Sequence, residues 1–175
     1  VIFRLEYRIF VEVLAIFQRF EYTTFVYCTN VLFLLGGLDM PELNAKLFGT
    51  PAVSVDGREI TLPYKKADAL LYYLILKRKT TRSELIGLLY EDTDSATALK
   101  NLRHAIYTIR KAFAFDPFVP GQRSIVEFSA DVEIACDVYD FERGDMLSAY
   151  HGEFLKDFNV SHSSAFDAWL SDQRN

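Results

Sequence analysis

Four cations, an amide, an imidazole and a phenol lie close together in residues 95–115, a stretch without a single acidic residue. These polar groups are Lys100, Asn101, Arg103, His104, Tyr107, Arg110 and Lys111. Arginine and lysine pair with guanine and with phosphate, and asparagine pairs with adenine, in the major groove of duplex DNA. The residue types therefore favour nucleic-acid recognition, although the same charge pattern is also typical of a helix face that is merely solvated.

The apolar residues of the same stretch recur at helical spacing. They are Leu99, Leu102, Ile106, Ile109 and Phe113, separated by 3, 4, 3 and 4 positions. This spacing indicates one buried face of an α-helix. We therefore expect a helix whose apolar stripe lies in the core and whose polar groups face outward.

Shorter elements precede this helix. The predicted strands are 44–48, 52–55 and 59–62, and the predicted helices are 66–77 and 81–90. An Asp-Gly pair at 56–57 indicates a hairpin between the second and third strands. Thr81 and Glu84 form a capping box at the second helix, and Asp94 is placed to cap the basic helix.

Two further strands are expected after the basic helix. Prolines at 117 and 120 break the chain, and strands at 124–129 and 132–136 are predicted to pair as a hairpin. Three helices with a β-hairpin beside them are typical of a winged helix-turn-helix in the α+β class. In that arrangement the third helix enters the major groove, and the hairpin reaches the flanking backbone or minor groove.

Candidate DNA contacts also lie outside the basic helix. Thr81 and Arg82 stand at a predicted helix N-terminus, where backbone N–H groups hold phosphates. Arg123, beside the predicted hairpin, is a candidate for the minor groove. Lys65 and Lys66 precede a helix, where phosphate contact and simple solvation are equally expected.

Several spaced blocks resemble one family of bacterial transcriptional activators, the antibiotic-regulatory-protein class. The blocks are residues 47–51, 55–58, 65–74, 82–85, 88–90, 100–103, 105–112, 136–141, 150–155 and 166–170. The resemblance implies an OmpR-type winged helix at 40–136 and, at 137–175, the start of an all-helical, TPR-like bacterial transcriptional activator domain. It also implies head-to-tail homodimers on double-stranded DNA and contact with RNA polymerase.

Residues 1–39 differ from the rest of the chain. They hold nine Phe and Tyr residues, and Gln18, Arg19 and Glu21 interrupt the apolar run that a membrane anchor would need. The codons of Gly36 and Gly37 can together read GGAGG, which is a ribosome-binding sequence. They lie at the usual distance before a start codon at Met40. We therefore expect residues 1–39 to be non-native upstream translation or an apolar extension, with a membrane-tethered regulator as the alternative.

Composition bounds the remaining possibilities. Residues 40–136 carry 13 basic and 12 acidic residues, whereas 137–175 carry 3 and 8. The two cysteines lie in no metal or disulfide spacing, which indicates a reducing cytoplasm. The sequence has no catalytic constellation and no histidine pair at metal-ligand spacing, so we expect neither an enzyme nor a cofactor. Two alternatives stay open, a winged helix that binds protein and an accessory segment of a larger multidomain signalling protein.

Overall fold

Helices and strands are interspersed along residues 40–144 and 150–174, the part of the chain that the computed structural model describes. The strands are β1 (Glu42–Lys46), β2 (Ala52–Val55), β3 (Arg58–Glu59), β4 (Lys79–Thr81), β5 (Ile125–Glu127) and β6 (Glu133–Cys136). The helices are α1 (Lys65–Lys77), α2 (Arg82–Leu89), α3 (Ser95–Ala112), α4 (Asp137–Glu142) and α5 (Ser164–Arg174). The chain is therefore an α+β protein.

The first sheet has the strand order β3-β2-β1-β6. Antiparallel β2 and β3 are joined at Asp56 and Gly57, which have φ angles of 49° and 76°. Two consecutive positive φ values fit a two-residue hairpin turn, and this confirms the hairpin expected from the Asp-Gly pair. Along β1, the side chains of Leu43 and Ala45 are buried and their neighbours are not, so this sheet covers the core with one face.

The strands at the C-terminal side of α3 do not pair with each other, and the predicted hairpin between 124–129 and 132–136 is wrong. β5 pairs antiparallel with β4, and β6 pairs parallel with β1 in the first sheet. Strand β4, which the sequence analysis did not predict, is the pairing partner of β5 in a two-stranded sheet. The ion pair between Lys79 Nζ and Glu127 Oε2, at 3.0 Å, joins the two strands.

A hairpin is nevertheless present, formed by residues 117–129. Val119 N–H donates to the Glu127 carbonyl at 2.9 Å, and Ser129 N–H donates to the Pro117 carbonyl at 2.8 Å. The rings of Phe118 and Phe128 lie 5.1 Å apart between these bonds. We name this segment the 117–129 hairpin. Pro117 begins it, and Pro120 lies within it.

The three central helices agree closely with the sequence prediction, and they pack into one core. Helix α1 is buried along residues 69–75 because other elements cover it on several sides. Thr81 Oγ1 accepts from Glu84 N–H at the start of α2, and Asp94 Oδ1 accepts from Thr97 N–H at the start of α3. Both expected N-caps are thus confirmed.

Residues after β6 pack against the preceding elements. The carboxylate of Asp137 accepts backbone N–H bonds from Leu47 at 2.8 Å and from Phe48 at 2.9 Å. In α5, Phe166 and Leu170 are buried. The described residues of 137–174 are therefore held to β1 at one end and to the helical core at the other.

The apolar start of the sequence, residues 1–39, lies outside the described residues, as does the expectation about where the native protein begins. Within 40–144 and 150–174, none of the helices combines the length and the apolar character needed to cross a bilayer.

Candidate nucleic-acid interface

Helix α3 is built as the sequence predicts, with one buried and one exposed side. Leu102, Ala105 and Ile109 are fully buried, and Ile106 is 4% exposed. Leu99 is only partly buried and lines a surface cleft, so its expected place in the core is wrong. The apolar stripe fixes the rotation of the helix and thereby decides which polar side chains face solvent.

The outward side of α3 carries a continuous arc of basic and polar groups. Since successive residues are rotated by about 100°, the order around the helix is Arg110, Arg103, Tyr107, Lys100 and Lys111. Tyr107 is 62% exposed. Over the described ranges, Lys100, Arg103 and Lys111 have no ion pair or hydrogen bond, which leaves their charges available to an anion.

One edge of this arc borders a cleft of about 720 Å³ between α3, the start of α2 and the 117–129 hairpin. Arg82, Arg103, Arg110 and Arg123 line it, and none of its lining residues is acidic. We name it the arginine cleft. Its other lining residues are Leu99, Ile106, Phe118, Val119, Gly121, Gln122, Ile125 and Val126.

Like charges repel one another within the arginine cleft. Burial lowers the pKa of Arg82, and the positive charges of Arg103 and Arg110 lower it further. Arg82 Nε and Gln122 Oε1 are shielded from solvent and have no hydrogen-bond partner in the described part of the chain. The positive charges and the unpaired Arg82 Nε donor, with no acidic residue among the lining residues, favour the binding of an anion. Gln122 Oε1 is an acceptor and instead suits a hydrogen-bond donor.

Arg110 is held more firmly than the other cleft arginines. Its Nε lies 2.9 Å from Asp116 Oδ1, and its guanidinium lies 5.8 Å from the centre of the Phe118 ring. The carboxylate offsets part of its charge. Arg110 therefore joins the end of α3 to the 117–129 hairpin and still lines the cleft.

The predicted phosphate site at the start of α2 is partly used within the chain. The Thr81 hydroxyl accepts from Glu84 N–H at 3.1 Å, and Arg82 N–H donates to the Ser124 carbonyl at 2.8 Å. These two backbone donors are thus already paired. The contribution of Arg82 comes from its side chain in the arginine cleft.

Four predicted site residues line a second cleft of about 410 Å³, which borders the edge of the arc opposite the arginine cleft. These residues are Lys65, Lys66, Asn101 and His104. His104 Nδ1 lies 2.9 Å from the Tyr64 hydroxyl, and the two rings stack with centroids 5.8 Å apart. The sequence analysis predicted these residues and the arginines as one set of contacts, whereas the structure places them around two different clefts.

Lys66 forms hydrogen bonds within the chain, whereas the sequence analysis considered phosphate contact and simple solvation for it. Its ammonium donates to the Leu89 carbonyl at 2.8 Å and to the His162 carbonyl at 3.2 Å. Burial lowers its pKa, opposed by the nearby carboxylates of Asp92 and Glu91. Lys65 donates to Asn159 Oδ1 at 3.0 Å but remains exposed.

Two cleft residues, Gln122 and Phe118, did not follow from the sequence. Their part in the site depends on the fold-back of the 117–129 hairpin, and neither residue belongs to a local motif that signals this placement. Among the described residues, no group of three His, Cys, Asp or Glu side chains is arranged to hold a metal ion.

No protein-family model matches the chain, and no curated protein matches it either. The assignment of a function therefore depends on the chemistry and geometry of the described surface.

Proposed function

We propose that this protein binds double-stranded DNA in a sequence-specific manner and regulates transcription, without enzymatic activity. The observation that carries the proposal is the joint surface of α3 and the arginine cleft. It presents unpaired cations on a helix beside a hairpin, and no carboxylate lines the cleft. This combination of shape and charge suits a duplex, whose phosphates provide a regular array of anions.

The arrangement supports a winged helix-turn-helix assignment. An α-helix with its side chains is about 10–12 Å wide and fits the major groove of B-DNA, which is about 12 Å wide. With α3 in that groove, α2 braces it and the 117–129 hairpin takes the place of the wing. The wing is thus assigned to a segment N-terminal to the one expected from the sequence.

Each polar group then takes a role set by its position on α3. Arg103 and Lys100, near the middle of the exposed arc, contact base edges, and Tyr107 and Lys111 contact bases or the adjacent backbone. The guanidinium groups of Arg82 and Arg110 contact phosphates at the cleft edge. Arg123, on the hairpin, contacts the minor groove.

The residues on the far edge of α3 have a smaller part in this proposal. Asn101 and His104 border the second cleft, and Lys65 stands at its rim. They contact the opposite DNA strand only where the groove wall reaches that side of the helix.

The wider role as a cytoplasmic activator is supported by the family resemblance. In that proposal, 137–175 begins a TPR-like activator domain, two copies bind direct repeats head to tail, and the bound protein contacts RNA polymerase.

The test is selection of duplexes from a random library, followed by fluorescence anisotropy with the selected site and a scrambled one. We expect preferential binding and, for about six neutralised phosphates, a log–log salt slope of roughly −5. Absence of any duplex binding at about 50 mM salt, where non-specific affinity is strong, would contradict the proposal and favour a protein-binding role.

A further inference from the structure

A five-residue turn, residues 90–94, connects α2 to α3. Thr93 N–H donates to the Tyr90 carbonyl at 3.0 Å, and Asp94 caps α3 through Thr97 N–H at 3.1 Å. Tyr90 is 4% exposed. Because the turn is short and bonded at both ends, the position of the turn determines where α3 begins.

Glu91, in this turn, contacts a part of the chain more than seventy residues away. Its Oε1 accepts from the Ser164 hydroxyl at 2.5 Å and from Ala165 N–H at 3.0 Å. The two donors stand at the start of α5, where backbone N–H groups need acceptors. These hydrogen bonds lower the pKa of Glu91, so its carboxylate is ionised at neutral pH.

The residue before the turn is held by the same distant segment. The Leu89 carbonyl, at the end of α2, accepts from the Ser163 hydroxyl at 3.0 Å and from Lys66 Nζ at 2.8 Å. Ser163 is 2% exposed, so its bond is sheltered from water. Residues 163–165 therefore hold the chain on both sides of Tyr90.

Helix α5 is itself anchored to the core. Phe166 is fully buried, Leu170 is 4% exposed, and the Trp169 ring lies 5.0 Å from the Tyr73 ring of α1. Its main helical neighbour is α2. The hydrogen bonds from Ser164 and Ala165 therefore link the turn before α3 to a helix that is fixed on the core.

We propose that Glu91 and Ser164 are positioning residues for α3, which make its first turn, and hence DNA affinity, depend on the segment at 163–165. The DNA part of this inference rests on the proposed function. Neither residue lines the arginine cleft or lies on α3, so a direct DNA contact is not part of the argument.

The test uses the full chain with Glu91→Ala, Ser164→Ala and the matched control Asp92→Ala. Asp92 is exposed in the same turn, and its loss changes the charge as the loss of Glu91 does. We expect Glu91→Ala and Ser164→Ala each to weaken binding of the selected duplex by about 3- to 10-fold, with a double variant no worse than the stronger single one. Asp92→Ala should leave affinity unchanged or raise it, because it removes a negative charge that acts on Lys66 as Glu91 does, but none of the hydrogen bonds to Ser164 and Ala165. Equal effects of Glu91→Ala and Asp92→Ala would overturn the proposal.

Amide hydrogen exchange provides a readout that does not involve DNA. We expect faster exchange at Ala165 and in the first turn of α3 in the Glu91→Ala and Ser164→Ala variants. Acceleration at Ala165 alone would show that the contact stabilises α5 without positioning α3, and would overturn the inference. If the wild type binds no duplex, both the proposed function and the predicted effect on DNA affinity are wrong. The hydrogen exchange in the first turn of α3 still tests whether Glu91 and Ser164 position that helix.

Discussion

Arg103 and His104 are neighbours in the sequence, and their side chains belong to different surfaces. Arg103 lines the arginine cleft, whereas His104 stacks on Tyr64 at the second cleft. The rotation of about 100° per residue explains this division. The candidate interface therefore includes only some of the polar residues on α3 that the sequence predicted as DNA contacts.

Arg103→Ala tests whether a single side chain contributes to base recognition. A well-placed arginine–guanine contact is worth about 1–3 kcal/mol of discrimination, so we expect roughly 5- to 150-fold weaker binding of the selected duplex. Binding of a scrambled duplex should weaken much less. Anisotropy titrations of both duplexes measure the difference.

The exposed Arg58 on β3 provides the matched control, because Arg58→Ala removes the same charge away from the interface. It should leave both affinities nearly unchanged. Equal losses for Arg103→Ala on the two duplexes would assign Arg103 to the DNA backbone.

Asp68→Asn tests whether burial of the Asp68 carboxylate in α1 lowers the stability of the folded state. Burial raises the pKa of Asp68 to about 6, with Lys65 opposing the rise. A raised carboxyl pKa favours the protonated form in the folded state, so this group stabilises the fold below the unfolded value, near 4. That contribution is lost as the pH rises through about 6.

The substitution should therefore raise the free energy of unfolding at pH 7, by on the order of 1 kcal/mol after allowance for solvent screening. At pH 4 the gain should largely vanish. Urea unfolding at both pH values measures it. A gain of equal size at both would exclude the carboxylate charge as the cause.

Among the helices and strands, the features predicted correctly from the sequence are those that interactions between nearby residues determine. The caps at Thr81 and Asp94, the Asp-Gly turn at 56–57 and the apolar spacing in α3 each act within a few residues. Helices α1, α2 and α3 were accordingly predicted to within about three residues at each end, whereas no bounds were predicted for α4 and α5. The exposed arc of basic and polar residues on α3 was predicted as well, because helical spacing alone determines which residues face outward.

Strand partners could not be predicted in the same way. β6 pairs with β1, some ninety residues earlier, and β5 pairs with β4, a three-residue strand with no periodicity of its own. The 117–129 hairpin contains prolines that predict only a break in the chain. The cleft side of the interface depends on this hairpin, and its lining therefore required the structure.

Asp137→Ala tests the joint between β1 and α4. The carboxylate of Asp137 accepts from the backbone N–H groups of Leu47 and Phe48. Loss of a partly buried charged acceptor leaves these donors unpaired, and we expect a loss of about 2–3 kcal/mol in the free energy of unfolding. Asp137→Asn, which keeps one amide oxygen, should cost less.

Asp140→Ala is the control, since Asp140 pairs with Arg143 at the surface, where an ion pair contributes little. Urea unfolding of the three variants measures the order. Similar losses for Asp137→Ala and Asp140→Ala would contradict a structural role for the Asp137 bonds.

For the molecule as a whole, the acidic segment after β6 and the more basic part before it share one core. The single tryptophan, Trp169 in α5, packs against Tyr73 in α1. We therefore expect the fluorescence of Trp169 and the pulsed hydrogen exchange of α3 to give the same urea midpoint. A lower midpoint for Trp169 alone would show that α5 unfolds as a separate domain.

The direct passage from β6 into α4, with Cys136 ending the strand and Asp137 beginning the helix, has a mechanical consequence. A flexible tether would let two modules reorient freely, and its length would set their effective concentration. Here α4 cannot rotate about its connection to β6 without disturbing the hydrogen bonds that pair β6 with β1. A displacement of α4 should therefore move the first sheet with it, as a rigid connection does and a flexible linker does not.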